Sequence, residues 1–198
     1  MSFEADDEGE LDCRYTSLSN PEDVRALVAA ISVARRSISC CFCRRNGSST
    51  IQVRALYLHG CGITAGGAEV LAQFLQSAGA SALTHLSLSD NPIGDPGVLA
   101  LIHKGLMNNN SLEYLSLRST GITSESGPTI GKLLEASTLT EISLEGNALE
   151  DKGVCTMFFC AHSTLLPTHP GSSISSLSKQ NKTLLSASPP PSTPLLNK

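Results

Sequence analysis

The chain has 198 residues, 40% of them apolar and 16% charged, which is enough to bury the core of one domain carrying tails. Aromatic residues make up 4%, tryptophan is absent, and 14 basic residues face 18 acidic ones for a net charge of −4. That balance excludes a dedicated nucleic-acid binder and a protein held on anionic lipid by charge.

The start, Met1-Ser2-Phe3-Glu4-Ala5-Asp6-Asp7-Glu8, has neither the basic nor the apolar segment of a secretory leader. Residues 1–10 read as an acidic, disordered N-terminus. No stretch approaches the roughly 18 apolar residues of a membrane helix. Seven cysteines, an odd number, suit a reducing compartment, so a cytoplasmic location is expected, with the nucleus or cytoskeletal structures left open.

Residues 11–36 follow as a degenerate first repeat or a capping helix. Leu11, Cys13 and Leu18 have the spacing of a short strand and turn. Asn20-Pro21-Glu22-Asp23 is a helix start, with a cap, a proline at the first position and two acids at the positive end of the dipole. Val24, Leu27, Val28 and Ile31 then form one apolar stripe.

Residues 37–50 are a Cys/Arg/Ser-rich loop containing Cys40, Cys41 and Cys43 beside Arg44 and Arg45. Palmitoylation, or zinc shared with Cys13 or Cys61, are alternatives. Zinc sites use two spaced ligand pairs, and C-C-x-C supplies none. A surface loop with raised thiol reactivity is the simpler reading, and no metal is expected.

Residues 51–162 repeat. Four segments superpose, starting at Val53, Leu83, Leu112 and Leu139, each of the form L-x-x-L-x-L-x-x-N/C-x-L. The fourth of these signature positions holds Cys61, Asn91, Thr120 and Asn147 in turn. Apolar residues then recur at helical spacing, as in Val70, Leu71, Phe74 and Leu75, or Ile130, Leu133 and Leu134. Each unit is therefore a short strand, a turn and an amphipathic helix. Asp95-Pro96-Gly97 reads as a turn that releases the chain into its helix. Leu56, Leu58, Leu86, Leu88, Leu115, Leu117, Ile142 and Leu144 should point inward, and one coil can bury them only by stacking on the next.

From about Ser163 the composition shifts to serine, threonine and proline, so residues 163–198 read as a disordered Ser/Pro-rich tail. The last helix carries Met157, Phe158 and Phe159 with no polar cap after it. An apolar end is expected there, open to a partner or to self-association.

The pattern closely resembles the leucine-rich repeat family, and the long period with a helix in every unit is similar to its ribonuclease-inhibitor-like subtype, as in NOD-like receptors and Ran GTPase-activating proteins. The resemblance covers about residues 53–157. It implies an α/β solenoid with a parallel sheet on the concave side, helices on the convex side, about four full repeats and an N-terminal cap. It also implies a binding scaffold rather than an enzyme.

By alternation the outward strand residues include Tyr57 and His59, then His85, Ser87 and Ser89, then Tyr114, Ser116 and Arg118, then Glu141, Ser143 and Glu145. These are the expected protein-binding residues of the concave face, with Arg118 and Glu145 placed to pair. Serine, histidine and glutamate lie near one another, but an open sheet provides no oriented base and no oxyanion site, and no G-x-S-x-G elbow or phosphate loop occurs. No catalytic residue and no cofactor are expected. The second reading is a GTPase-activating protein of the Ran type, for which Arg118 is the outward strand arginine. Residues 53–157 hold 5 basic and 10 acidic groups, so a protein partner with a basic surface is expected, and not nucleic acid or a membrane span.

Overall fold

The structure, a computed structural model, describes residue 6, residues 9–37 and residues 52–161. The acidic start, most of the Cys/Arg/Ser-rich loop and the Ser/Pro-rich tail lie outside the described residues, as do Cys40, Cys41, Cys43 and His162.

Five short strands alternate with helices. Strand β1 (Glu10–Asp12) precedes α1 (Pro21–Ser37), β2 (Ala55–Tyr57) precedes α2 (Ala65–Leu75), and β3 (His85–Ser87) precedes α3 (Gly94–Leu101). Then β4 (Tyr114–Ser116) leads into α4 (Gly127–Ala136), and β5 (Glu141–Ser143) into α5 (Glu150–Ala161). The strands form one parallel sheet in chain order, β1 to β5, and the register aligns Leu11, Leu56, Leu86, Leu115 and Ile142. Chain order with parallel pairing is what stacked coils produce, because each unit meets only its neighbours.

The core is a ladder of the consensus apolar positions. Leu56, Leu58, Leu86, Leu88, Leu115, Leu117, Ile142 and Leu144 are all buried. The helices complete it with Val24 and Leu27, with Leu71 and Phe74, and with Leu101, Ile102, Ile130 and Leu133. Residues 10–37 contribute a strand and a helix of their own, so the sheet has one more strand than the four consensus segments. In this first unit Cys13 occupies the place that Leu58 holds in the second.

The turn after each strand solves a local hydrogen-bonding problem. The side chain of Asn91 donates to the carbonyls of Leu58 (2.7 Å) and Leu88 (2.8 Å) and accepts from the Ile63 amide (2.9 Å). Asn147 repeats this two units on, donating to Leu117 (2.7 Å) and Leu144 (2.9 Å) and accepting from the amides of Thr120 (2.9 Å) and Ile122 (3.1 Å). Each asparagine thus serves its own turn and the preceding one. The intervening position needs only a short donor: Cys61 Sγ donates to the Cys13 carbonyl (3.0 Å), and Thr120 Oγ1 to the Leu117 carbonyl (2.7 Å).

Helix placement departs from one expectation. Asp95, Pro96 and Gly97 lie inside α3, which already begins at Gly94. A proline is tolerated there because first-turn amides have no helical acceptor to lose. Gly97 is there for space: a Cβ would stand 2.9 Å from Ala65 Cα of the preceding helix. Asp95 reaches the other way. Its Oδ1 accepts from the Thr123 amide (3.0 Å) and Ser126 Oγ (2.5 Å), and its Oδ2 from Thr123 Oγ1 (2.8 Å), which fixes the entry to α4. Burial raises the pKa of this carboxyl, but the hydrogen bonds from Ser126 and Thr123 outweigh it and hold the group below the usual aspartate value.

At the C-terminal end, Met157 is buried rather than exposed, since it shares the inward stripe of α5 with Gly153 and the partly buried Val154. Phe158, one residue on, is 45% exposed. The Phe159 side chain lies outside the described residues.

Candidate protein-binding face

The helices cover one side of the sheet and leave the other open, so alternate strand residues project from it. Register turns these into ladders. The first reads Glu10, Ala55, His85, Tyr114, Glu141, and the second Asp12, Tyr57, Ser87, Ser116, Ser143. Two residues beyond each second-ladder position come Arg14, His59, Ser89, Arg118 and Glu145.

The middle of the face is aromatic. The rings of His85 and Tyr114 stack, with centroids 5.6 Å apart and planes 24° apart. Thr84 Oγ1 lies 2.9 Å from His85 Nδ1 and so fixes the imidazole. His59 makes an edge contact with Tyr15, centroids 5.1 Å apart, and its Nδ1 is 3.1 Å from Asp90 Oδ2. Tyr57 is half-buried. Its phenol is pushed above the ordinary tyrosine pKa by that burial, with the nearby Glu10 and Tyr114 adding to it, so it stays a neutral donor at pH 7.

The charged residues are mostly braced. Arg118 meets Glu145 at 3.5 Å, the pairing expected from adjacent rungs. Arg14 donates from Nε to both oxygens of Asp12 (2.9 Å), a contact that draws the Asp12 pKa down. Asp6, Glu10, Asp12, Arg14 and Tyr57 line an open cleft of about 480 Å³ at the β1 end of the face.

Of the residues expected on this face, His85, Arg118 and Glu141 are exposed, and Tyr57, His59, Ser87, Tyr114, Ser143 and Glu145 are partly so. Ser89 and Ser116 are different. They are 6% and 5% exposed, and their hydroxyls bond each other at 2.8 Å. Both point toward the open side; Ser89 stands between the longer His59 and Arg118 on the adjacent rungs, about 4.8 Å away, and Ser116 between Ser87 and Ser143, with Tyr114 and Arg118 two residues before and after it on its own strand. They form the floor of the face, not its contact surface.

The sequence reading left out the first unit's contribution: Glu10, Asp12, Arg14 and the 75%-exposed Tyr15. The signal was present in the alternation of Leu11 and Cys13, which turns Glu10, Asp12 and Arg14 outward. Tyr15 occupies a left-handed backbone position (φ 58°) equivalent to Gly60, Asp90, Ser119 and Gly146 in later units, all with positive φ. The turn fixes that conformation, and the residue type does not announce it.

Of the thiols named as zinc alternatives, the described ones, Cys13 and Cys61, pack in the core. Burial there pushes the Cys13 thiol up to about 11 and also raises Cys61. Among the described residues there is no group of three or more His, Cys, Asp or Glu side chains placed to hold a metal ion. Nor, among them, is any helix long and apolar enough to cross a membrane.

The architecture and its asparagine-served turns define a leucine-rich repeat solenoid. The family model for the leucine-rich repeat matches residues 79–101, 108–128 and 135–154. The chain is 36% identical over 103 residues to NACHT, LRR and PYD domains-containing protein 3 of Bos taurus, a match covering 52% of this chain and 10% of that protein. It is 38% identical over 107 residues to NACHT, LRR and PYD domains-containing protein 5 of Homo sapiens, covering 54% and 9%. It is 34% identical over 112 residues to ribonuclease inhibitor of Mus musculus, covering 56% and 24%. The array is thus similar to those of ribonuclease inhibitor and of these NACHT, LRR and PYD domains-containing proteins, and the matches span between about a tenth and a quarter of these relatives' lengths.

Proposed function

We propose that this chain is a non-catalytic interaction scaffold that holds a protein partner against the open face of its sheet. The observation that carries this is the stacked His85–Tyr114 pair at the centre of the face, flanked by Tyr57 and by the braced Arg118. Aromatic and arginine side chains whose rotamers are already held lose little entropy on binding and dominate interface energetics. That one relative is named for inhibiting a ribonuclease supports a protein as the partner. The acidic surplus of the repeats favours a basic partner surface, and the reduced-thiol chemistry favours the cytoplasm. A GTPase-activating role would need an arginine free to reach a nucleotide, whereas Arg118 is engaged by Glu145. Phe158, exposed on α5, supports a secondary self-association through the C-terminal end.

The test is affinity capture from cytosol with the wild-type chain and with a Tyr114→Ala/Arg118→Ala variant, alongside melting curves of both. The expected outcome is one or more proteins retained by the wild type and lost from the variant at nearly unchanged melting temperature. Capture that survives both substitutions moves the site off this face.

A further inference from the structure

The charges of the open face are distributed unevenly. Asp12 is paired with Arg14, Asp90 with His59 and Glu145 with Arg118. Glu10 and Glu141 are exposed, and among the described residues neither carboxylate has an ion-pair partner. Arg54, which precedes Ala55, makes no ion pair among the described residues either. The register places these two free carboxylates at opposite ends of one ladder, Glu10–Ala55–His85–Tyr114–Glu141. Four strand spacings separate them, roughly 19 Å. Between them the ladder carries no carboxylate: a dip at Ala55, whose small side chain is buried, and then the stacked His85 and Tyr114 rings.

We infer that the partner presents two basic groups about 19 Å apart, one for Glu10 and one for Glu141, flanking an uncharged apolar segment that lies over Ala55 and the His85–Tyr114 stack. This rests on the open face being the binding site and adds the chemistry that selects the occupant. A lysine or arginine at either end meets a carboxylate that has no ion-pair partner among the described residues. An acidic group placed on either carboxylate meets repulsion from it. The cleft beside Glu10 gives the first basic side chain room, with the Tyr57 ring on its wall. The middle of the ladder offers a basic side chain no carboxylate, so basic groups gain most at the two ends, and a uniformly basic strand gains less per charge than one with an apolar centre. The spacing matches an extended segment whose basic residues lie about six positions apart.

The experiment pans a random twelve-residue peptide library displayed on phage against the full chain, with elution controlled by the Tyr114→Ala variant. Peptides that need Tyr114 should carry Lys or Arg at both ends of an uncharged centre. They should bind the Glu10→Lys/Glu141→Lys variant about tenfold or more weakly, and selection against that variant should enrich Asp or Glu at the same two places. Tyr114-dependent peptides without the paired basic residues, or with binding unmoved by charge reversal, overturn this inference and leave the binding face standing. Peptides indifferent to Tyr114 and to both glutamates, or no binders to this face at all, overturn both. Melting curves of the charge-reversed variant, whose two positions are exposed, confirm that it is folded.

Discussion

Two asparagines do more for this molecule than their number suggests. Asn91 is buried and bonds four backbone groups from two neighbouring turns, of which the Ser89 carbonyl has a second donor in the Gly60 amide. Replacing it by alanine leaves a donor and two acceptors without partners, and the expected loss is about 3 kcal/mol or more in denaturant unfolding. Thr120→Ala in the next unit should cost only about 1 kcal/mol, because the Leu117 carbonyl keeps its bond from Asn147. Equal losses from the two substitutions would contradict the division of labour between long and short side chains at this position. The cysteines make a second contrast. At pH 7 iodoacetamide should modify the exposed Cys155 in the native chain, and Cys13 and Cys61 only after denaturant is added, as read by peptide mapping. Cys13 also sets a sign at high pH. Its thiol ionises near 8.5 when unfolded and at about 11 when folded, so its contribution is intact below about pH 8.5 and is lost progressively from there to about 11.

Individual elements are held by close backbone approach as much as by leucine. A Cβ at Gly127 would lie 2.5 Å from the Gly153 carbonyl oxygen, so α4 and α5 touch where neither can carry a larger residue. Gly127→Ala should therefore lower stability by about 1–3 kcal/mol, despite alanine's better helix propensity. Leu88→Ala, at the centre of the ladder, should cost about 2–5 kcal/mol, and thermal melting separates the two effects from a neutral change. The strands were legible in the sequence because leucine at alternate positions leaves one arrangement in which every apolar side chain is buried. The helices were legible because the period then changes to 3.6. The first unit was less so: Cys13 stands where the others have leucine, and Glu8 where they have valine or leucine. Its outward residues went unread with it. The depth of Ser89 was not legible either, since it depends on how tall the side chains on the adjacent rungs are, and those rungs are some thirty residues away in sequence.

For the whole molecule, recognition and stability draw on opposite sides of one sheet. The apolar ladder on the inner side sets the register, and the register brings Glu10 and Glu141 onto one line although 131 positions separate them in the sequence. Substitutions on the open side should alter binding with little effect on melting. Inner-side substitutions should alter both, because the ladders lose their alignment when the units shift. The C-terminal end can be tested in the same way: a polar repeat appended after Ala161 should raise the melting temperature and reduce any association seen by sedimentation. A chain that sediments as a monomer at high concentration, with no gain from the added repeat, would show that the buried Met157 and its neighbours already close the core.

The contact between Asp95 and the start of α4 has a consequence for how the array comes apart. Neighbouring turns are tied by Cys61 between the first and second units, by Asn91 between the second and third, and by Asn147 between the fourth and fifth. Between the third and fourth units, the corresponding tie is a carboxylate. Of these four turn ties it alone is a carboxylate; the carboxylates of the Asp90–His59 and Glu145–Arg118 pairs bridge units on the surface and not within the turns. Because the Asp95 pKa lies below the ordinary carboxylate value, the tie is at full strength above about pH 4 and is released as the pH falls through the folded value. Amide exchange followed from pH 6 to pH 3, corrected for intrinsic rates, should lose protection first at Thr123 and Ser126 and in the opening turn of α4. The array should then behave as two blocks, one of three units and one of two, each still protected. Asp95→Asn should abolish that staged loss and leave a single transition across the acid range.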